Sequence, residues 1–421
     1  MSSPAEPIPL RGWRKIPAVQ ALSHFNFRIL WLGSLLSFTG SWVQRTAQDW
    51  LAYGLTNDDP FMLAVVSFCG MAPVSFLGPL MGAYVDMLDR RKLLTLMMII
   101  SAIGPLFLGF ATYFHFAAYW HLVVVALVGG LVSTMEMPAR QSIVRQSVPV
   151  DVLPAAIPTQ ALTFNFARVA GPAIGGVILA KFGPAYAFWV NGLSFAFLIA
   201  AVNMIRADLG PMIKEPQPIR DLVAEGFRYV FKEDRLRVIF LLEAATSVFG
   251  VFYLGLMAAI AKTKLGLGAS GLGNLFTAIG VGAVIGLLLV STISGRPVKF
   301  TIVRVAMSMV AIALCLLAWA PNQAIAMVCL AMCGMGTIMQ FNTSNTLFQL
   351  IAPAHLRGRA LAMHMWAVSG VAPAGILIFG WVADHFGINA ALGAGGGILL
   401  AWSVWGWIRT WSMQDPAYDT A

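Results

Sequence analysis

The chain has 421 residues, 59% of them hydrophobic and 11% charged, with a formal net charge of +9 and mean hydropathy of +0.78. A soluble domain carries roughly 25% charged residues, so this composition excludes an ordinary soluble protein and indicates a polytopic membrane protein. The positive balance does not imply a nucleic-acid partner, because the basic residues fall at the ends of apolar runs and in alternate loops, where they set the orientation of a membrane chain.

In chain order, residues 1–28 form a polar, cytoplasmic N-terminal tail, whose end, Val19 to Phe27, reads as a short amphipathic helix. The tail has no short apolar core followed by a cleavage site, so no removable signal peptide is expected. Twelve apolar runs follow, at about 29–52, 61–85, 93–113, 119–145, 158–181, 185–205, 237–260, 270–294, 299–319, 323–350, 360–383 and 388–410. Each is close to the roughly 20 residues that a membrane-spanning helix needs. The expected fold is an all-α membrane protein of 12 transmembrane helices in two pseudo-symmetric six-helix bundles, 29–205 and 237–410. A cytoplasmic linker, 206–236, joins them, and 411–421 is a cytoplasmic C-terminal tail. Within the linker, apolar residues at Ile219, Leu222, Val223, Phe227 and Val230 form a helical stripe, which predicts an amphipathic helix on the cytoplasmic face.

Between the second and third runs, Asp86, Asp89, Arg90, Arg91 and Lys92 place five charges in seven residues, so this hinge lies outside the hydrocarbon. With the N-terminus inside, 22 of the 27 Lys and Arg fall on the cytoplasmic side, and the exceptions are Arg45, Arg168, Lys181, Lys262 and Lys264. Both termini are therefore expected in the cytoplasm. A constant offset of 204 pairs Gly78 with Gly282, Gly82 with Gly286, Pro149 with Pro353, Gly171 with Gly375, Gly176 with Gly380, and Phe182-Gly183 with Phe386-Gly387. Duplicated halves around a linker are the pattern of a transporter whose site lies between its repeats.

With these spans, this repeat and this hinge, the chain resembles the major facilitator superfamily. Its hinge signature is matched by Gly82, Asp86, Arg90 and Arg91, while Met87 and Asp89 depart from it. The Asp89-Arg90-Arg91 variant, Gln48-Asp49-Trp50 leading into Leu55-Thr56, and Pro138-Ala139-Arg140-Gln141 are similar to a branch of bacterial exporters that includes enterobactin (siderophore) and macrolide-efflux proteins. In the fifth run, Gly171-Pro172-Ala173-Ile174-Gly175-Gly176 resembles the antiporter motif of drug–proton exchangers, and generic glycine-rich packing is the other reading. Pro172 removes a backbone donor and the glycines allow close helix approach. The resemblance implies that the fifth and eighth runs face each other, the latter through Gly280, Gly282 and Gly286.

The resemblance also implies a cytoplasmic latch of Gly82, Asp86, Arg90, Arg91 and Glu136. In it Asp86 faces the start of the eleventh helix near Arg357 and Arg359, and Arg90 pairs with an acid on the fourth helix. Topology determination alone is the alternative. Glu136 has two readings: partner of Arg90, or a proton carrier. Arg45 and Asp49, one turn apart, are either a self-neutralising pair or a titrating acid with its counter-charge. Asp49, Glu243 and Glu136 are the proton-coupling candidates. Arg45, Arg168, Asn165, Trp42, Gln48, Asn342 and Asn345 are the candidates for substrate or gating contacts. Phe38 on the first run and Met335, Met339, Gln340 and Phe341 on the tenth complete an adaptable cavity wall.

The four cysteines, Cys69, Cys315, Cys329 and Cys333, read as packing residues, and no metal site is expected. The histidines are scattered and carry no assigned role. No Walker A sequence or hydrolase motif is present, so the chain is not expected to be an enzyme, needs no cofactor, and draws on a proton gradient. The reading is a secondary exporter of an amphipathic small molecule, a drug, siderophore or metabolite. It would be a monomer in the bacterial inner membrane, surrounded by lipid, working by alternating access as a proton antiporter. A lipid or lysolipid flippase, or an uptake symporter of the same fold, is the alternative within transport. A non-transporting receptor or scaffold, supported only by the linker helix, is the alternative from another class.

Overall fold

Apolar surroundings cannot hydrogen-bond a peptide group, so each apolar run must satisfy its own backbone, and helices do this within one segment. The computed structural model describes residues 17–85, 87–207, 209–210, 219–293 and 296–415, and these are all helices and connecting turns, without a strand. The helices are α1 (Pro17–Ser23), α2 (Phe25–Leu55), α3 (Pro60–Val85), α4 (Arg90–Tyr113), α5 (Tyr119–Gln146), α6 (Leu153–Phe182), α7 (Pro184–Met204) and α8 (Ile219–Lys232). They continue with α9 (Asp234–Phe249), α10 (Met257–Ala259), α11 (Ala269–Ile293), α12 (Lys299–Ala318), α13 (Gln323–Ile351), α14 (Arg357–Met365), α15 (Ala372–Phe386) and α16 (Ile388–Thr410). Among the described residues, eleven segments are long and apolar enough to cross a membrane. The 31-residue α2 is not one of them. Its second half carries Ser41, Gln44, Arg45, Thr46, Gln48 and Asp49, the polar face from which a site is built.

Two apolar runs are interrupted. The seventh stops at Gly250, passes through a 3-10 turn, Phe252–Gly255, and ends in a π-helical turn, Ile260–Lys264. The eleventh contains a π-turn, Trp366–Gly370, between α14 and α15. Such irregular turns release backbone carbonyls that need donors. Three of them are met by side chains of facing elements: Ser247 donates to Val368 O at 3.0 Å, Ser75 to Ser369 O at 3.1 Å, and Arg45 to Leu254 O at 3.3 Å.

Positions 204 apart adopt matching roles. Gly183 and Gly387, each after a phenylalanine, have φ of +87° and +86°, a left-handed conformation that glycine adopts without strain. Gly171 packs on Trp42 and Thr39 of α2, and Gly375 packs on Val248 of α9. Gly176 meets Gly273 at the α6–α11 contact, and Gly380 meets Ala64 at the α3–α15 contact. These last two contacts join helices before the linker to helices after it.

Contacts between helices on either side of the linker also gather at the end of the molecule bearing Asp58. Asn57 and Asp58 both have positive φ, which Asn and Asp tolerate better than other side chains, and the resulting turn presents Asp58 to Lys262 at 2.5 Å. Tyr53 and Thr263 share a hydrogen bond of 2.6 Å beside it. Because the ion pair is about 40% exposed on both sides, it contributes about 0.2–1 kcal/mol. Asp58→Lys should therefore raise accessibility to a thiol-reactive probe placed near Thr263, and Asp58→Lys with Lys262→Asp should restore protection. Equal labelling of the single and double variants would show that the pair does not hold this end closed.

Candidate functional site

A cavity of about 290 Å³ lies between α2, α3, α4, α5 and α7, and its polar wall comprises Gln44, Arg45, Gln48, Asp49, Glu136 and Asn191. Gly70, Gly104, Gly129 and Gly130 supply part of the opposing wall; Gly104 and Gly130 let α4 and α3 pack closely on α5, and Gly129 faces open space. Asp49 is 2% exposed and accepts from Arg45 Nε at 3.1 Å, so the i,i+4 pair forms. Arg45 also reaches beyond its own helix, donating through Nη2 to the Leu254 carbonyl of the interrupted segment. Gln48 accepts from Gln44 at 3.2 Å, and Gln44 accepts from Asn191 of α7.

Glu136 bonds Arg140, one turn along α5, and not Arg90. The expected Arg90–Glu136 pair is therefore corrected: a local partner four residues away fixes the carboxylate before the hinge is reached. Arg90 is fully buried. Its backbone N–H donates to Leu209 O at 3.0 Å and its guanidinium to Gly210 O. Arg91 donates to Asn203 O, Ile205 O and Ala207 O at 2.7–3.2 Å. The two arginines thus hold the carbonyl-rich C-terminal end of α7 and the first linker residues, a favourable place for cations. Asp89, which departs from the family signature, caps α4 by accepting from Lys92 N at 3.1 Å. Of the other residues expected in a latch, Gly82 falls in α3 and Asp86 lies outside the described residues. Arg359, expected near Asp86, pairs with Glu225 of the linker helix α8.

A second pocket, of about 490 Å³, lies between α2, α5 and α6 and is lined by Phe38, Arg140, Gln141, Arg145, Gln160 and Phe164 among others. The Arg140 guanidinium sits 4.2 Å from the centre of the Phe38 ring, and that of Arg168 sits 4.9 Å from the Phe164 ring. The two rings meet edge to face at 5.5 Å. Asn165, one turn before Arg168, spends its amide donor on Ala161 O of its own helix.

On the other side of the linker, Glu243 of α9 is fully buried. His364 Nδ1 of α14, itself nearly buried, lies 2.9 Å from Glu243 Oε1 and 3.1 Å from Oε2, with the hydrogen bond directed at Oε2. The sequence gives His364 no signal that separates it from the other five histidines, because its partner is 121 residues away. Gln340 of α13 stays close to this region, accepting from Thr246 and donating to Leu242 O. Asn342 donates to Ile338 O of its own helix and Asn345 accepts from Gln349, so each makes a hydrogen bond within α13. Trp42 packs edge to face on Phe276 and lies against Gly171. Gly171, Pro172, Gly175 and Gly176 let α6 approach both α2 and α11: Gly175 meets Val43 and Thr46, and Gly273 of α11 meets Pro172 O and Gly176. The candidates therefore separate into a polar cavity, an arginine–aromatic pocket and a buried Glu–His pair.

The sequence pattern of the family described as transmembrane secretion effector matches residues 17–415. The chain is 24% identical to a staphyloferrin A transporter of Staphylococcus aureus, over 84% of this chain and 89% of the relative. It is 23% identical to the multidrug efflux pump Tap of Mycolicibacterium fortuitum, over 86% of this chain and 90% of the relative. In fold it is similar to the crystal structure of a POT family transporter in complex with a thioalcohol-conjugated peptide, with a TM-score of 0.74 at 10% identity, over 91% and 96% of the two chains.

Proposed function

Because the chain belongs to the transmembrane secretion effector family of major facilitator transporters, we propose that it exports an amphipathic small molecule by alternating access, driven by proton antiport. In this reading α2 and the eleven apolar segments make twelve spans in two six-helix bundles, 29–205 and 237–410. Both termini lie in the cytoplasm of a bacterial cell, the protein works as a monomer in the inner membrane, and the Asp58 end faces outward. The eleven apolar segments and the 204-residue repeat support the two-bundle arrangement. Efflux and siderophore-transport relatives support small-molecule export.

One observation carries the coupling: Arg45 is held by Asp49 on its own helix and by Leu254 O on the far side of the linker. A proton on Asp49 removes the charge that positions Arg45, and with it a bond between the two bundles at their outward end. Only a ligand that distinguishes the two states can shift them, and protonation of Asp49 does so because the ion pair belongs to the closed one. Glu243 with His364 is the second carrier, and Glu136 opens on the same cavity as Asp49. At the inner end, the Arg90–Arg91 clamp on the α7 terminus ties the linker to the first bundle.

The test uses everted vesicles acidified by respiration, with pH followed by acridine-orange fluorescence. Adding anionic, neutral and cationic amphiphiles from a panel should release protons for at least one class in the wild type, and Asp49→Asn should lower that release at least about tenfold. Substrate movement that continues unchanged after the pH gradient is collapsed would remove the antiport reading.

A further inference from the structure

We propose that the pocket between α2, α5 and α6 is an anion-recognition subsite, and that the transported substrate is an amphiphile bearing a carboxylate, sulfonate or phosphate. This rests on the exporter reading and names the substrate class for it. Arg140 is only 3% exposed, and while its Nη2 donates to Glu136, its Nε and Nη1 have no hydrogen-bond partner. Gln160, on the facing helix, has both amide atoms buried without a partner. Among the described residues Arg168 has no hydrogen-bond or ion-pair partner, and its guanidinium is held by stacking on Phe164. A buried donor left unmade costs about 1–3 kcal/mol, and more when it is charged. Three such donors on the wall of one pocket, Arg140 Nε, Arg140 Nη1 and Gln160 Nε2, therefore indicate a missing acceptor more strongly than any one of them alone.

The charge balance points the same way. Arg140 and Arg145 line the pocket, Arg168 adjoins it through Phe164, and no carboxylate lines it. Glu136 neutralises only one of these cations, from the side of the smaller cavity. The planar guanidinium fork matches a carboxylate or phosphate through paired donors, and the Gln160 amide offers a further N–H. Phe38, Met137, Val144 and Ile157 give the remaining wall an apolar, adaptable character. A volume of about 490 Å³ suits a small amphiphile. A cationic drug would meet these arginines as like charges.

The experiment measures binding of radiolabelled decanoate to the full-length protein in phosphatidylcholine nanodiscs. Binding should be saturable above the lipid background, displaced by decyl sulfonate and decyl phosphate, and unaffected by decyltrimethylammonium at the same concentration. Arg168→Met, which orphans no acid, should weaken binding about tenfold or more. Arg140→Met is combined with Glu136→Gln, so that no carboxylate is left unpaired, and should do likewise. Size-exclusion profiles confirm that each variant is folded. Including phosphatidylglycerol separates two sources of the same chemistry: displacement of decanoate assigns the subsite to a lipid headgroup phosphate, and no displacement assigns it to a free amphiphilic anion. Competition by decyltrimethylammonium equal to that of decyl sulfonate, or wild-type binding by a folded Arg168→Met protein, would overturn the anion assignment. In that event, proton release by a cationic or neutral compound in the vesicle assay would leave the exporter reading standing.

Discussion

Gly282→Ala is expected to abolish accumulation of folded protein. A Cβ at this position would lie 1.9 Å from the Ala331 carbonyl oxygen, with the Ala331 carbonyl carbon and Cα at 2.6 and 2.8 Å. All three are backbone atoms of α13, so Gly282 and Gly286 face α13 and not α6 as expected, where only Gly280 of the three meets Arg168 O; no side-chain rotation relieves the clash and the two helices must separate. Separation would also loosen neighbouring glycine contacts on the same seam, Gly286 against Met335 and Gly334 against Ile279. Close backbone approach at small residues is the principal source of helix association where lipid is as apolar as the side chains. Overpacking typically costs about 1–3 kcal/mol, and a backbone-to-backbone clash belongs at or above the top of that range. Gly397→Ala is the control: nothing lies within 4 Å of its Cβ, so it should leave the melting temperature in detergent unchanged or slightly raised. Equal melting temperatures for Gly282→Ala and wild type would show that the α11–α13 seam is looser than these distances state.

The same seam shows why much of the fold was readable from residues alone. Apolar runs of spanning length mark the helices because the backbone has no alternative there. Some glycines recurring at 204 mark contacts because they remove a side chain from a place where another helix must pass, as at Gly171 and Gly375, whereas Gly78 meets only Val74 of its own helix. Phe182-Gly183 and Phe386-Gly387 repeat because the same left-handed corner is needed twice. The interruptions after Gly250 and at Trp366–Gly370 were not legible, since apolar composition continues through both and does not record hydrogen-bond register. The site was readable only where partners are local. Arg45–Asp49 was read from its i,i+4 spacing, whereas Glu136–Arg140, at the same spacing, was missed because the distant Arg90 had been the expected partner: local spacing was necessary and not sufficient. Arg90 and Arg91 bind backbone carbonyls, which have no sequence signature. Asn165, Asn342 and Asn345 look like cavity amides by type, yet each makes a hydrogen bond within its own helix. His364 could be recognised only once α14 was set beside α9.

His364→Ala should be far more damaging than Glu243→Gln. The carboxyl of Glu243 has no solvent contact, and among the described residues its one ion-pair partner, whenever the imidazole carries a proton, is His364. Removing one partner of a buried pair leaves an uncompensated charge, at a cost of about 3–5 kcal/mol. The chain can escape that cost only by keeping a proton on Glu243. His364→Ala therefore either lowers the melting temperature by several degrees or locks the carboxyl in its neutral form, and in both cases proton-driven transport should fall at least about tenfold. Glu243→Gln keeps the volume and a hydrogen bond to the imidazole, so stability should be nearly retained while coupling is lost. The double variant, Glu243→Gln with His364→Ala, should recover most of the stability lost by His364→Ala alone, because the orphaned charge is gone, yet remain uncoupled. A double-mutant cycle in melting temperature, read beside proton release in everted vesicles, separates these effects. Strictly additive stability changes would mean that the two side chains do not share a proton-dependent interaction. Full coupling retained by Glu243→Gln would leave Asp49 and Glu136 as the groups to carry the proton.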